Sequence, residues 1–158
     1  RNPSYVPSCS INPVLSCGSV MTTPQAEVFG FPNPLVGVAG FAAVATVGLA
    51  LLAGASFARW FVLVVQAGAT FGVVFVHWLI YQSLYVIGAL CPYCMGVWVV
   101  MIAIFWHTTV VTLTDRGSGG GRVAKVARAY RGSVLTAWYL IIVGLIAHRF
   151  WSYWVSLL

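Results

Sequence analysis

Four stretches of the chain are long, apolar and almost free of charge, and polar or proline-rich segments separate them. They run from Leu35 to Ala53, from Trp60 to Ile80, from Cys91 to Leu113 and from Val134 to Trp154. Each is long enough, as a helix, to cross a hydrocarbon core of roughly 30 Å. Gly54–Arg59 reads as a short turn, and Tyr81–Leu90 as a partly apolar connection at the interface. Asp115–Ser133 reads as a polar loop with Gly117-Ser118-Gly119-Gly120-Gly121 as a flexible piece. Gly37, Gly40, Ala43 and Gly48 in the first stretch, and Gly68-x-x-x-Gly72 in the second, offer small surfaces for close helix contact. Ahead of these, residues 1–30 hold Pro3, Pro7, Pro13 and Pro24 and no sustained helical period. They predict an ordered cap outside the membrane, with a short helix near Gln25–Gly30. Phe31-Pro32-Asn33-Pro34 is a turn, because a residue before proline is pushed out of the helical region, and Pro34 can then open a helix.

Composition turns four apolar stretches into an environment. Of 158 residues, 61% are hydrophobic and only 6% charged, and the mean hydropathy is +0.95. A soluble domain of this size cannot hide that much apolar surface, so the chain is read as an integral membrane protein. The net charge of +6 matters through its placement. Arg59 lies on one turn, and Arg116, Arg122, Lys125, Arg128 and Arg131 on the loop between the last two spans. The positive-inside rule makes that side cytoplasmic, so the cap, the Tyr81–Leu90 connection and the C-terminus face outward. Trp151, Tyr153 and Trp154 match an interfacial aromatic belt. The basic run recurs every three residues with Val123, Val126, Ala127 and Tyr130 between, which predicts a helix lying on anionic headgroups and setting topology. It lacks the aromatic interleaving of a nucleic-acid reader, and no nucleic-acid partner is expected. A first residue of arginine, outside the membrane, leads us to expect one more spanning helix upstream.

The candidate chemistry lies in four cysteines, all on the outer side. Gly88-Ala89-Leu90-Cys91-Pro92-Tyr93-Cys94-Met95-Gly96 places a Cys-x-x-Cys pair at the start of the third apolar stretch. Proline suits the first helical position, so Cys91 is expected at the N-cap, with both sulfurs at the positive end of the helix. That field favours the thiolate, the form that attacks a disulfide. Cys9 and Cys17 stand far upstream on the cap. An outward-facing space, bacterial periplasm or ER lumen, is where disulfides persist. Cys-x-x-Cys is also a zinc half-site. Seven residues between Cys9 and Cys17 are more than such a site usually spans, and four thiolates would put negative charge beside the bilayer, so no metal is expected. His77, an ionisable group near the outer end of a span, is a proton-handling residue, a side chain that reaches the interface, or a partner for a neighbouring helix.

Three segments together carry a resemblance. Cys9-Ser10-Ile11-Asn12-Pro13-Val14-Leu15-Ser16-Cys17-Gly18-Ser19-Val20-Met21, Phe29-Gly30-Phe31-Pro32-Asn33-Pro34 and Cys91-Pro92-Tyr93-Cys94 resemble the vitamin K epoxide reductase family, most closely its actinobacterial-type branch. The resemblance covers the chain from Asn2 through the third span. It implies an all-α membrane protein: a four-helix bundle around a quinone whose first helix precedes Arg1, with an additional C-terminal membrane helix. Residues 1–34 are then the outer, periplasmic cap with the shuttle cysteines, and 35–113 hold three helices of the catalytic bundle. Residues 114–133 are the basic cytoplasmic loop, and 134–158 the additional membrane helix. With the sequence stopping at Leu158, the resemblance leads us to expect a separate periplasmic thioredoxin-fold (DsbA-like) partner and not a fused domain.

The resemblance also implies roles. Cys91 and Cys94 are the redox pair beside the quinone, menaquinone or ubiquinone, with Cys94 facing its ring. Cys9 and Cys17 are the shuttle pair, Cys17 exchanging with Cys91 and Cys9 receiving the partner's thiolate. Asn33 corresponds to a position that bonds a quinone carbonyl. Trp98 stands where human-type enzymes carry a tyrosine with a similar duty, and it has an indole N–H but no hydroxyl. Val20, Met21, Val36 and Leu79 wall the pocket by family position. The spacing adds that Cys91, Cys94 and Trp98 fall on one helix face. The implied activity is oxidation of the partner's dithiol and transfer of two electrons to the quinone, in support of disulfide bond formation, at a bacterial cell membrane. Reduction of a quinone epoxide is the alternative chemistry, and a structural membrane subunit with two static disulfides the alternative without catalysis.

Overall fold

A computed structural model of the chain describes residues 9–12, 14–114 and 121–155. The elements are α1 (Cys17–Met21), a 3-10 turn (Pro24–Glu27), α2 (Asn33–Leu52), α3 (Arg59–Tyr81) continued by a π turn (Gln82–Ile87), α4 (Pro92–Thr114), α5 (Arg122–Ala129), α6 (Arg131–Arg149) and α7 (Trp151–Val155). α2, α3 with its π turn, α4 and α6 are each long and apolar enough to cross a membrane. The protein is an all-α membrane protein, as its apolar pattern predicts.

α3 and α4 are the central pair. Gly72 lets them approach, since a Cβ there would stand 2.7 Å from Cε of Met101, whereas Gly68 faces open space. Near the opposite end from the cysteines, Gln66 Nε2 donates to Thr109 Oγ1 at 2.9 Å. α6 is tied to this pair by side-chain bonds, which are effective where lipid offers no competing partner. Trp138 Nε1 donates to His77 Nε2 at 3.0 Å, and Tyr139 Oη donates to the Val99 carbonyl at 2.9 Å. His77 Nδ1 lies 2.7 Å from the Val73 carbonyl, so the ring carries its proton on Nδ1 and accepts with Nε2. The histidine therefore joins α3 to α6. At the end that carries the cysteines, Val14, Val76, Ile80, Leu84, Leu90, Trp98 and Phe150 form a buried cluster that includes the cap, α3, α4 and the end of α6.

Several expectations need correction. The Tyr81–Leu90 connection is mostly helix: α3 runs on through the π turn and ends at Gly88, whose φ of 68° is the left-handed conformation that glycine supplies cheaply. The short helix expected near Gln25–Gly30 is the 3-10 turn Pro24–Glu27, and α1 precedes it. The last span covers Arg131–Arg149, and its aromatic tail forms the separate α7, because Phe150 breaks the helical run. Among the described residues the small side chains of α2 are not covered: none of its residues is buried, and Gly40 and Gly48 face open space. A helix apolar all round and unburied by protein is suited to lipid. α5 turns Ala124 and Ala127 onto α4 and leaves Arg122, Lys125, Arg128, Val123 and Val126 exposed. The segment 115–120, with Arg116 and most of the glycine run, lies outside the described residues, as does residue 13.

Candidate functional site

The cap is shaped by its own polar groups before it meets the bundle. Asn12 Oδ1 accepts from the backbone N–H of Val14 at 3.0 Å and of Leu15 at 2.7 Å, an Asx turn that bends the chain toward the helices. Leu15 then pairs with Leu90 as an isolated parallel bridge. Leu90 N–H donates to the Val14 carbonyl at 2.7 Å, and Ser16 N–H donates to the Leu90 carbonyl at 2.9 Å. Ser16 caps α1 by accepting from Ser19 N–H at 3.3 Å, so Cys17 is the first residue of that helix. Two short local structures, an Asx turn and a capped helix, thus deliver one cysteine to the residue that precedes another.

Cys9 and Cys17 are joined as a disulfide, with Cα atoms 5.7 Å apart. Cys91 and Cys94 are free thiols. Cys91 Sγ lies 3.2 Å from Cys17 Sγ, across a sequence separation of 74. Cys17 is 0% exposed and Cys91 1%, whereas Cys9 is half-buried and the more accessible sulfur of the disulfide. The Cys91 carbonyl accepts from Met95 N–H at 3.0 Å, the first bond of α4, which puts Cys91 at the N-cap and Pro92 at the first helical position. The Cys91 pKa is lowered from 9.0 to about 6. The hydrogen bond from the Cys94 thiol is the largest cause, burial opposes it, and the backbone N–H groups of Cys94 and Tyr93 add to the fall. Cys91 is thereby a thiolate at neutral pH, beside a disulfide sulfur.

The residues named from the sequence fall into two groups. Cys9, Cys17, Cys91 and Cys94 come together, and Cys94 and Trp98 share the buried cluster with Val76, Ile80 and Leu84. Asn33 is occupied elsewhere: its Nδ2 donates to the Gln25 carbonyl at 2.7 Å, and its Oδ1 accepts from Val28 N–H at 3.3 Å. It fastens the 3-10 turn to the start of α2. Val20 and Leu79 are half-buried, and Met21 and Val36 are exposed. An apolar crevice of about 80 Å³ between α4 and α6 is lined by Met95, Trp98 and Ile102 of α4 and by Tyr139, Ile142 and Ile146 of α6, and Cys94 does not line it. Asn33, Val20, Met21, Val36 and Leu79 do not line it. The sequence reading missed Asn12, the Leu15–Leu90 bridge and the role of Ser16. Asn12-Pro13 and Ser16-x-x-Ser19 were the available signals, a turn former before proline and an N-cap.

With the sulfur arrangement in view, comparison with known proteins gives the lineage. Residues 1–109 match the family model of the Vitamin K epoxide reductase family. The chain belongs to that family. No curated protein and no solved structure matches it. Membership makes the protein a membrane oxidoreductase of the thiol–disulfide and quinone type. The family match ends within α4, before α5, α6 and α7.

Proposed function

We propose that the protein reoxidises a periplasmic thioredoxin-fold, DsbA-like partner and passes two electrons to a membrane quinone, menaquinone or ubiquinone, supporting disulfide formation outside a bacterial cell membrane. The observation that carries this reading is the 3.2 Å contact between Cys17 of a disulfide and Cys91 of a free dithiol. Static structural bridges have no use for a depressed thiol pKa against a second disulfide.

The route follows from ordinary exchange. A thiolate of the reduced partner attacks Cys9, the half-buried sulfur, and Cys17 leaves. The partner's second thiolate closes its own disulfide and releases Cys9, so the cap gains two electrons. When Cys91 and Cys94 are disulfide-bonded, the Cys17 thiolate attacks Cys91 and Cys94 leaves. Cys9 then attacks Cys17 and releases Cys91, re-forming the Cys9–Cys17 disulfide. A low pKa makes Cys91 a good leaving group at this last step. The arrangement described above corresponds to the moment after it: the cap oxidised, both electrons on Cys91 and Cys94. An apolar, lipid-soluble quinone suits the surroundings as final acceptor, because Cys94 packs on hydrocarbon and aromatic side chains. A bound quinone supplies a two-electron, two-proton acceptor; Cys94 is the residue we assign to face it. The basic residues of α5 favour the opposite end of the bundle as the cytoplasmic one.

The test is a pair of rates in membranes, one driven by a thioredoxin-fold dithiol protein and one by dithiothreitol. Cys94→Ala abolishes quinone reduction with both. Cys9→Ala lowers the protein-driven rate far more than the dithiothreitol-driven rate. An equal loss in both rates for Cys9→Ala refutes the shuttle.

A further inference from the structure

The end of α6 reaches the same level as the sulfurs, although it lies outside the stretch that matches the family. Arg149 Nε donates to the Leu84 carbonyl at 2.9 Å. Its guanidinium stands 5.8 Å from the centre of the Phe150 ring, and Phe150 is buried in one cluster with Val14, Leu84 and Leu90. The Leu84 carbonyl is one of those that a helix end leaves without a backbone partner. In this π turn, Gly88 N–H goes back to the Ser83 carbonyl at 3.0 Å, and Leu90 N–H turns away to Val14. Leu84 is 1% exposed, so water is a poor substitute donor. A basic side chain at a helix C-terminus satisfies the carbonyl and meets the dipole favourably.

The position of that carbonyl gives the bond its consequence. Leu84 and Leu90 stand on either side of the left-handed Gly88, Leu90 carries both hydrogen bonds of the bridge to the cap, and Cys91 comes next. We propose that Arg149 is a positioning residue for the sulfur relay: its bond to the Leu84 carbonyl braces the Gly88–Cys91 segment so that Cys91 meets Cys17. This rests on the reading of Cys17 and Cys91 as the exchanging pair. It gives the C-terminal helix a part in thiol chemistry, not only in anchoring.

The experiment measures the full-length chain in membranes with Cys9→Ala and Cys94→Ala, which leaves Cys17 and Cys91. Oxidised glutathione takes both thiols to one Cys17–Cys91 disulfide and two molecules of glutathione. The effective molarity of the pair is read by thiol trapping across a series of glutathione ratios. Leaving a buried carbonyl unpaired lowers it on the order of tenfold in Arg149→Met, which keeps the stem without a donor. Arg149→Lys, which keeps a donor, restores most of the loss. Arg149→Leu is measured beside them as a second variant without a donor. A merely structural arginine changes yield or thermal midpoint and leaves the effective molarity of the folded molecules at the parent value. That parity, in whichever of the Met and Leu variants accumulates, overturns the proposal. If the parent pair itself forms no such disulfide, the relay reading falls instead, so the two failures are distinguishable.

Discussion

Removing Cys9 should turn the sulfur contact into a covalent bond. In Cys9→Ala the Cys17 thiol has lost its partner and stands 3.2 Å from Cys91. Two sulfurs bond at about 2.05 Å, so closure needs a movement of roughly an ångström, within side-chain freedom. The advantage over an unfolded chain can be worked from the loop that the bond closes. For a separation of 74 residues, the chain-entropy expression gives a closure cost of about 4.5 kcal/mol, or a factor on the order of a thousand. The fold meets that cost beforehand through the Leu15–Leu90 bridge. Mild oxidation of native membranes should therefore give a Cys17–Cys91 disulfide with Cys94 free. The same treatment after solubilisation in denaturing detergent should need an oxidant roughly a thousandfold stronger for the same yield. Acid quenching, thiol trapping and peptide mapping by mass spectrometry read the product. Equal yields in native and denatured chains, or a bond from Cys17 to Cys94, would refute the reasoning.

Two further predictions concern acidity and packing. Because the Cys91 pKa is lowered to about 6, its thiolate absorbance near 240 nm should be present above that pH and lost as the pH falls through it. Cys94→Ala removes the largest cause and should move the midpoint upward toward 9.0, and a midpoint that stays put would show that the helix terminus alone sets it. Gly72→Ala would bring a Cβ to 2.7 Å from Met101 Cε, so the methionine must swing aside. A loss of about 1 kcal/mol is expected in a thermal shift, against none for Gly68→Ala, which meets open space.

The large features of the fold were legible because each rests on a local rule. The spans follow from apolar length, and the start of α4 follows from Cys91-Pro92, since proline fits a first turn and little else in a helix. The pairing of Cys9 with Cys17 came from family likeness, as spacing alone left other pairings open. What escaped the reading depends on contacts between distant segments. Nothing in Leu15 or Leu90 alone announces that their backbones will pair. A π turn over Gln82–Ile87 has the same apolar residues as an ordinary interfacial loop. Asn33 is the reverse case: between two prolines it reads as a turn residue, family likeness alone made it a quinone contact, and the turn beside it holds both its donor and its acceptor. Arg149 gives no sign in the sequence of its role, since it crosses to a carbonyl that only the tertiary fold leaves open.

The gathering of Cys9, Cys17, Cys91 and Cys94 at one end of the spans has an energetic corollary for a cell with a polarised membrane. On the route proposed here, two electrons and two protons begin on thiols at that face and finish on a lipid-soluble molecule at the same depth. No net charge traverses the bilayer. A potential of 100 mV, which performs about 2.3 kcal/mol of work on each charge that crosses, would do none on this reaction. Disulfide synthesis would then run equally well in energised and de-energised cells, limited by the oxidation state of the quinone pool and not by voltage.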